Sequence, residues 1–337
     1  MIRSRFSGVG MAVPKNCYKN EDLKKWMDTS DEWIQQRSGI RQRYWVDPET
    51  STSDLGFEAA EKAIEASGVP KEEIDMILLA TLTPDHEFPG TACFLQKKLG
   101  LPNIPAIDVR QQCTGFIYGA SIADQFIRNG MIKNALVVGA ETHSKGLDIS
   151  TEGRDVTVLF GDGAGAAVLS ATEVKDPERD SYLLSTHLHS DGRFAEELWV
   201  QAPGSGNREK ERMNVAMMEQ KMHYPKMNGK AVFIQAVQKM PEAIQEALNA
   251  NKLAVSDIDL FVLHQANLRI NQKCAEVLEI PNEKVFNTIQ DYANTTAATI
   301  PIGLCEAIRQ DRLQRGKLVA SAAFGSGFTW ASMVYRW

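Results

Sequence analysis

The chain has 337 residues, 43% of them apolar, which is enough for a large core in two domains or two fused halves. The 37 basic and 43 acidic residues give a net charge of −6, so composition indicates no nucleic-acid partner. No signal peptide is predicted, because the start of the chain carries polar residues where a signal peptide needs an unbroken apolar stretch, and no membrane span is predicted, because no run approaches about 18 apolar residues. The five cysteines are odd in number and widely spaced, which predicts a cytoplasmic protein with no disulfide framework and no metal site.

The first half of the chain alternates helix-like and strand-like segments. A helix predicted over 52–68 leads into an apolar strand over 75–81. The later strand AIDV is followed by the turn RQQ, by Cys113 and by an apolar helix, and a further strand reads NALVVGA (134–140). Continuous apolar strands of this kind are typical of a sheet buried on both faces.

The middle of the chain differs from both of its flanks. The charged, proline-containing segment 171–181 marks the predicted boundary, which places one half at residues 1–175 and the other at 176–337. Residues 190–226 are first rich in glycine and charge and then rich in methionine, and they match nothing in the first half. We interpret this excursion either as a lid or as a solvated loop with a short amphipathic helix.

Two alignments of the halves indicate an internal duplication. The helix-to-strand joint at Asp259 resembles the joint at Asp75, 184 positions earlier. The helix and strand that begin at Asn294 resemble those that begin at Cys113, 181 positions earlier. Offsets this similar predict a duplicated α/β unit rather than chance alternation.

Three side chains at the ends of these elements carry the candidate chemistry. A helix N-terminus stabilises a thiolate and lowers its pKa, so Cys113 is a candidate nucleophile, although a small buried cysteine also suits this position. His264 ends an apolar strand and is either a structural histidine or a site residue. Asn294 is either a helix N-cap or a site residue. If equivalent joints meet at the centre of a duplicated fold, the three line one pocket, and such a set supports acyl transfer.

Seven segments identify a family resemblance that covers nearly the whole chain. They are DTSDEWIQQRSGIRQR (28–43), DVRQQCTGFIYGASIADQFI (108–127), FGDGAGAAVL (160–169), STHLHSDG (185–192), LHQANLRI (263–270), ANTTAATIP (293–301) and FGSGFTWAS (324–332). In these segments the chain resembles β-ketoacyl-acyl-carrier-protein synthase III, of the thiolase-like superfamily. The resemblance implies an α/β, thiolase-like fold of two duplicated halves packed as five layers, αβαβα, in a homodimeric acyltransferase.

The resemblance also implies a reaction, the decarboxylating Claisen condensation that initiates fatty-acid synthesis. Cys113 would take an acyl group from acyl-CoA, and His264 and Asn294 would promote decarboxylation of malonyl-acyl-carrier protein and stabilise the enolate. The enolate then attacks the acyl-cysteine and gives β-ketoacyl-carrier protein. The backbone N–H groups of Cys113 and Ser326 would form the oxyanion hole. No cofactor is implied, because coenzyme A enters as part of a substrate, and neither a metal nor a membrane is involved.

The resemblance assigns coenzyme A contacts to three residues. Trp33 and Arg154 match the positions that enclose the adenine, a role that suits stacking and cation–π contact. Trp33 also suits a core aromatic on a helix face after a Thr29–Glu32 capping box. Arg37 matches a further position in contact with coenzyme A.

The remaining assignments concern the histidine and the protein partners. Asn267 matches a position that helps to order the active-site water and histidine. Arg269 matches an arginine that docks the acidic carrier protein. Phe88 matches a residue that crosses the dimer interface and closes the partner's acyl pocket.

Four departures from the family pattern leave the acyl substrate open. Ala293 stands where the family usually has glycine, and Ser326 replaces the middle glycine of a Gly-Gly-Gly-like turn. Lys230 replaces a small polar residue near the pantetheine path, and the excursion at about 190–226 is longer than in the short fatty-acid-initiating members.

Two alternative functions remain open. One is a related condensing or acyl-transfer enzyme of secondary metabolism that acts on longer or unusual acyl thioesters. Phe88 argues against the olefin-forming relatives, which place a glutamate near this position, although Glu87 lies beside it. The other is a non-catalytic acyl-CoA-binding homologue, against which the intact set of Cys113, His264 and Asn294 argues.

Overall fold

The computed structural model describes all 337 residues. The first half contains β1 (Ile2–Ala12), β2 (Asn16–Lys19), α1 (Asp31–Ser38), β3 (Gln42–Trp45), α2 (Thr52–Ser67), β4 (Met76–Ala80), α3 (Thr91–Leu99), β5 (Ala106–Val109), α4 (Gly115–Arg128), β6 (Asn134–Glu141), α5 (Arg154–Thr157) and β7 (Gly163–Glu173). The second half contains β8 (Tyr182–Ser190), β9 (Leu198–Trp199), α6 (Val215–Glu219), β10 (Lys226–Met227), α7 (Gly229–Ala250), β11 (Leu260–Val262), α8 (Leu268–Val277), β12 (Val285–Phe286), α9 (Ile289–Tyr292), α10 (Thr299–Arg309), β13 (Leu318–Gly325) and β14 (Thr329–Arg336).

Two five-stranded mixed sheets form the framework of the molecule. The strand order is β1-β7-β6-β4-β5 in the first sheet and β12-β11-β13-β14-β8 in the second. β4 runs parallel to β5 and β6, and β11 runs parallel to β12 and β13, whereas the other pairs are antiparallel. The chain passes from the first sheet to the second between β7 and β8, within the charged segment that suggested a boundary.

Helices α4 and α10 lie between the two sheets and form the central layer. Phe116 of α4 and Leu304 of α10 share one buried cluster with Leu78 of β4 and Val262 of β11. On the outer faces, α2 and α3 pack against the first sheet and α7 and α8 against the second. The layers therefore follow one another as αβαβα, which confirms the predicted architecture. None of the helices is both long enough and apolar enough to cross a membrane.

The two sheets repeat each other at a shift of 184 residues. β4 pairs with β6 in the same register, at that shift, as β11 pairs with β13. An aspartate before each of β4 and β11 accepts the first N–H group of the neighbouring strand. Asp75 accepts from Asn134 N at 2.9 Å, and Asp259 accepts from Leu318 N at 2.8 Å. The duplication predicted from these two aspartates is confirmed.

The alignment of Cys113 with Asn294 is wrong by three residues. A short 3₁₀ turn precedes both α4 and α10, and each turn begins with a positive φ, 47° at Gln112 and 50° at Thr296. These two residues are 184 positions apart, so the counterpart of Cys113 is Ala297. Three residues are nearly one helical turn, which is why the apolar face of α10 matched α4 almost as well in the shifted alignment.

Candidate active site

A cavity of about 1350 Å³ lies at the carboxyl ends of strands from both sheets. Ligands commonly bind at this edge of parallel strands in α/β folds. Eight residues predicted for the site line the cavity: Trp33, Arg37, Cys113, His264, Asn267, Arg269, Asn294 and Ser326. The structure thus brings together the three candidate chemical groups, whereas Phe88 and Arg154 lie outside the lining.

Cys113 lies in the 3₁₀ turn between β5 and α4 and is buried. Two glycines allow the close approaches around this turn. A Cβ atom at Gly115 would lie 2.7 Å from the Cβ of Ala80, so glycine lets the start of α4 rest on β4. A Cβ atom at Gly325 would lie 3.0 Å from the Cβ of Cys113 and 3.1 Å from its backbone nitrogen. The turn that contains Ser326 is thereby held against the backbone and Cβ of Cys113.

The pKa of Cys113 departs from the sequence prediction. Burial, with a smaller contribution from the charge of Glu141, raises it to about 12. The backbone N–H of Cys113 and the hydroxyl of Thr296 lower it through hydrogen bonds, but these do not offset burial. The prediction that the helix N-terminus lowers this pKa is therefore wrong for the protein as folded, and the resting group is a thiol.

His264 follows β11 and is held by its backbone and by one ring nitrogen. Its N–H donates to the carbonyl of Ala322 at 2.9 Å, and its Nδ1 lies 2.7 Å from the hydroxyl of Thr299. Nε2 has no hydrogen-bond partner in the protein, although the residue is only 2% exposed. Burial lowers the pKa of His264 to about 3, so the ring is neutral at physiological pH and its Nε2 is available to a substrate.

Asn294 is fixed by both its backbone and its side chain. Its N–H donates to Leu159 O at 2.9 Å, and its carbonyl accepts from Gly161 N at 3.1 Å. Its side-chain oxygen accepts from Thr296 N at 2.8 Å, which leaves the amide NH₂ group without a protein acceptor beside the cavity. The preceding Ala293 has φ 55°, a conformation that favours the glycine usual in the family, and the bonds of Asn294 hold it there.

The three groups suit acyl transfer. A thiol, a neutral imidazole and an amide NH₂ group line the same cavity, and two of them can donate hydrogen bonds to oxygen atoms that gain charge during a reaction. The side chains are oriented before any substrate binds, because each is tied to its own strand or turn. Preorganised donors of this kind stabilise an oxyanion or enolate more strongly than water does.

Trp33 lies on α1, lines the cavity and has two arginines close to its ring. The guanidinium carbon of Arg37 is 4.1 Å from the centre of its ring and that of Arg154 is 5.0 Å away. Arg154 also donates to the carbonyl of Asp28. The helix is capped by Ser30, which accepts from Trp33 N at 3.1 Å, one residue later than the predicted cap at Thr29.

Asn267 and Arg269 lie at the start of α8. The side chain of Asn267 caps this helix by accepting from Arg269 N at 2.9 Å, and it donates to the carbonyl of Arg37 at 2.8 Å. Its amide is therefore engaged with α1 rather than with His264. Arg269 is exposed and, together with Arg37 and Lys230, makes this side of the mouth basic.

The excursion, residues 190–226, covers the cavity and is tied to the first half of the chain. Lys221 bonds Asp148 at 3.0 Å and Glu152 at 2.5 Å. The hydroxyl of Ser326 donates to the carbonyl of Leu198 in β9, which lines the cavity. The excursion is therefore an ordered segment that forms part of the cavity wall.

Three site residues were missed by the sequence reasoning. Thr296 and Thr299 contact the candidate groups from within the quoted segment ANTTAATIP. His143 lines the cavity just beyond β6. Polar residues after buried strands were the signal for His264, and the same signal after NALVVGA pointed to His143.

Comparison with known proteins identifies the family. A family model described as 3-Oxoacyl-[acyl-carrier-protein (ACP)] synthase III matches residues 107–192, and the model of its C-terminal part matches residues 248–337. Proteins called beta-ketoacyl-[acyl-carrier-protein] synthase III from Xanthomonas campestris pv. campestris and Alkalilimnicola ehrlichii are each 44% identical over the whole of this chain, which covers 99% and 100% of their lengths. The crystal structure of 3-oxoacyl-[acyl-carrier-protein] synthase III from Aquifex aeolicus VF5 is 40% identical, with a TM-score of 0.88 over 99% of this chain and 100% of that one.

Proposed function

Because the chain belongs to the 3-oxoacyl-[acyl-carrier-protein] synthase III family, we propose that it initiates fatty-acid synthesis by condensing an acyl-CoA primer with malonyl-acyl-carrier protein. The observation that carries this proposal is the convergence of Cys113, His264 and Asn294 on one covered cavity. The reaction needs no cofactor, since coenzyme A arrives as part of a substrate. The five free thiols of the chain suit a cytoplasmic location.

The first half-reaction transfers the acyl group to Cys113. The sulfur attacks the thioester carbonyl of acyl-CoA, and the backbone N–H groups of Cys113 and Ser326 hold the oxyanion of the tetrahedral intermediate. The carbon–sulfur bond to coenzyme A then breaks, and coenzyme A leaves as a thiol with the proton that Cys113 gave up. Gly325 supports this assignment, since it brings the Ser326 turn against Cys113.

The second half-reaction forms the carbon–carbon bond. The malonyl group loses carbon dioxide, and its thioester oxygen becomes an enolate that accepts hydrogen bonds from His264 Nε2 and the Asn294 amide. The enolate carbon attacks the acyl-cysteine, Cys113 leaves as the thiolate, and β-ketoacyl-carrier protein is released.

Thr299 decides whether His264 can donate in this step. Its hydroxyl lies 2.7 Å from His264 Nδ1 and 3.0 Å from the carbonyl of Thr296, and its single hydrogen serves one of them at a time. When that hydrogen is given to Nδ1, the ring proton is on Nε2 and faces the cavity. The proposed reaction uses this tautomer.

We place the adenine of coenzyme A at Trp33, and this gives a testable result. Replacing Trp33 with alanine is expected to raise KM for acyl-CoA about tenfold and to leave kcat nearly unchanged, because stacking and cation–π contacts act equally on the ground and transition states. Steady-state kinetics measure both parameters. Trp26→Ala is the matched control, because Trp26 is an exposed tryptophan outside the cavity. A loss confined to kcat in the Trp33 variant would contradict the placement.

The carrier protein and a second copy of the chain complete the proposed assembly. The basic side of the mouth, with Arg269, Arg37 and Lys230, suits an acidic carrier protein. Phe88 is 80% exposed beside the cavity residue Glu87, which supports a homodimer in which it reaches the partner's acyl pocket. Light scattering on the purified protein measures the oligomeric state.

The proposal is tested by the mass of the intact protein after incubation with acyl-CoAs of graded length. We expect an increment equal to one acyl group, located at Cys113 by peptide mapping and lost again when malonyl-acyl-carrier protein is added. The chain length that reacts fastest identifies the primer. No increment with any acyl-CoA, together with no decarboxylation of malonyl thioesters, would instead indicate a non-catalytic acyl-CoA-binding protein.

A further inference from the structure

A second histidine lines the cavity that contains Cys113 and has no part in the reaction described above. His143 follows β6, lines the cavity and is only 5% exposed. Its ring packs on Phe160, with 4.4 Å between the ring centres, and its Nε2 lies 2.6 Å from the hydroxyl oxygen of Thr296. A buried imidazole in so short a contact has a defined orientation, and its one partner is a residue that also meets Cys113.

Thr296 is fixed in place by its backbone. Its N–H donates to the side chain of Asn294 at 2.8 Å, its carbonyl lies 3.0 Å from the hydroxyl of Thr299, and its φ is 50°. Its hydroxyl oxygen lies 2.6 Å from His143 Nε2, it lines the same cavity as Cys113, and its hydrogen bonding lowers the pKa of the Cys113 thiol. The position of this hydroxyl is thus set by the backbone, and only the direction of its hydrogen remains to be determined.

The hydrogen count links that direction to the tautomer of His143. A threonine hydroxyl has one hydrogen, so it can donate to the Cys113 sulfur only if it accepts from His143. Burial lowers the pKa of His143 to about 3, so the ring is neutral and carries one proton. With that proton on Nε2, the ring donates to Thr296 and the hydroxyl hydrogen is left for the sulfur.

We propose that His143 is a positioning residue for Cys113: its Nε2–H donates to the hydroxyl of Thr296, which turns the hydroxyl hydrogen toward the sulfur and stabilises the thiolate. The inference rests on the proposed function of Cys113 as the nucleophile. The effect is needed because burial opposes ionisation of this thiol. A hydrogen bond to the charged form stabilises that form, so the relay lowers the pKa of Cys113 below the value it would otherwise have.

Other titratable groups around Cys113 have to be held constant in any test. Glu141 lies at the end of β6, and His264 follows β11. Arg110 follows β5, three residues before Cys113, and lines the cavity. Burial raises the pKa of Glu141 to about 8 and lowers that of His264 to about 3, so Glu141 ionises in the range to be measured. Because Glu141 is present in every variant below, differences between variants report on the relay.

The test is the rate at which iodoacetamide alkylates Cys113 as a function of pH, followed by peptide mass. In His143→Leu and Thr296→Val we expect the apparent pKa of Cys113 to rise by about one unit, with about tenfold slower alkylation at pH values below it. His143→Gln offers an amide donor and Thr296→Ser keeps the hydroxyl, so both are expected to stay near the parent profile. His187→Gln is the control. His187 lies on β8 and bonds Glu246 on α7, and neither residue lines the cavity.

Two outcomes would overturn the inference. A parent-like profile in His143→Leu would show that Thr296 acts without the histidine. If alkylation of Cys113 is slowed as much in His143→Gln as in His143→Leu, His143 does not act as a hydrogen-bond donor. Thermal unfolding shows whether each variant is folded. If His143→Leu does not fold, the relay is tested by comparing the alkylation profiles of Thr296→Val and Thr296→Ser and by the profile of His143→Gln. Alkylation uses no acyl-CoA, so a parent that shows the relay but is never acylated contradicts only the proposed function.

Discussion

Replacement of Cys113 with alanine is expected to abolish acyl-enzyme formation, so that the protein gains no mass on incubation with an acyl-CoA that labels the parent. Cys113 is the only cysteine that lines the cavity together with His264 and Asn294, so no other thiol is placed to take up the acyl group. Loss of a covalent nucleophile lowers turnover by about 10⁴-fold or more. The measurement is the intact mass, with condensation activity followed in parallel.

Cys93→Ala provides the matched control for this experiment. Cys93 is an exposed free cysteine on α3, outside the cavity, and its replacement should leave acylation unchanged. Acylation of the Cys113→Ala protein at the parent rate would place the nucleophile elsewhere and would remove the basis of the proposed function.

The second large effect concerns the other half-reaction. His264→Ala and Asn294→Ala are each expected to keep acylation of Cys113 but to lower decarboxylation of malonyl-acyl-carrier protein by about 10²–10³-fold, since each removes one preorganised donor to the enolate oxygen. Release of carbon dioxide and the acyl mass on Cys113 measure the two steps separately. The fold-loss of decarboxylation in the double variant should be smaller than the product of the two single losses, because the two donors act on the same oxygen.

Asn271→Ala tests whether any loss of a buried amide has this effect. Asn271 lies on α8 and is only 1% exposed, and its side chain donates to that of Asn287 at 2.9 Å. Neither residue lines the cavity. Its replacement is expected to lower stability without separating the two half-reactions. If His264→Ala and Asn294→Ala instead slow acylation and decarboxylation equally, the division of labour between Cys113 and the two donors is wrong.

The framework of the fold was accessible from the sequence because it depends on strong, repeated patterns. Buried parallel strands are apolar throughout, and the aspartates at positions 75 and 259 mark the same joint in both halves. Cys113, His264 and Asn294 follow strands or open helices, so the duplication alone places them near one another. The seven family segments then supplied the reaction, which pattern and spacing do not contain.

The finer geometry was not accessible in the same way. The three-residue error at Asn294 arose because a helix nearly repeats after three residues, and only the backbone at Gln112 and Thr296 fixes the alignment. The pKa of Cys113 depends on its burial as well as on the helix that follows it. His143 follows a buried strand as His264 does, but the contact that shows its place in the site is with Thr296, 153 residues away in the chain.

The two 3₁₀ turns that precede α4 and α10 carry a consequence for how this protein evolves. They occupy the same position in the duplicated unit and contact each other, one carrying Cys113 and the other Thr296. A substitution in either turn therefore changes the surroundings of the other, and the fitness cost of a change at 112–114 depends on what occupies 296–298. We therefore expect substitutions in the two turns to be fixed together rather than one by one.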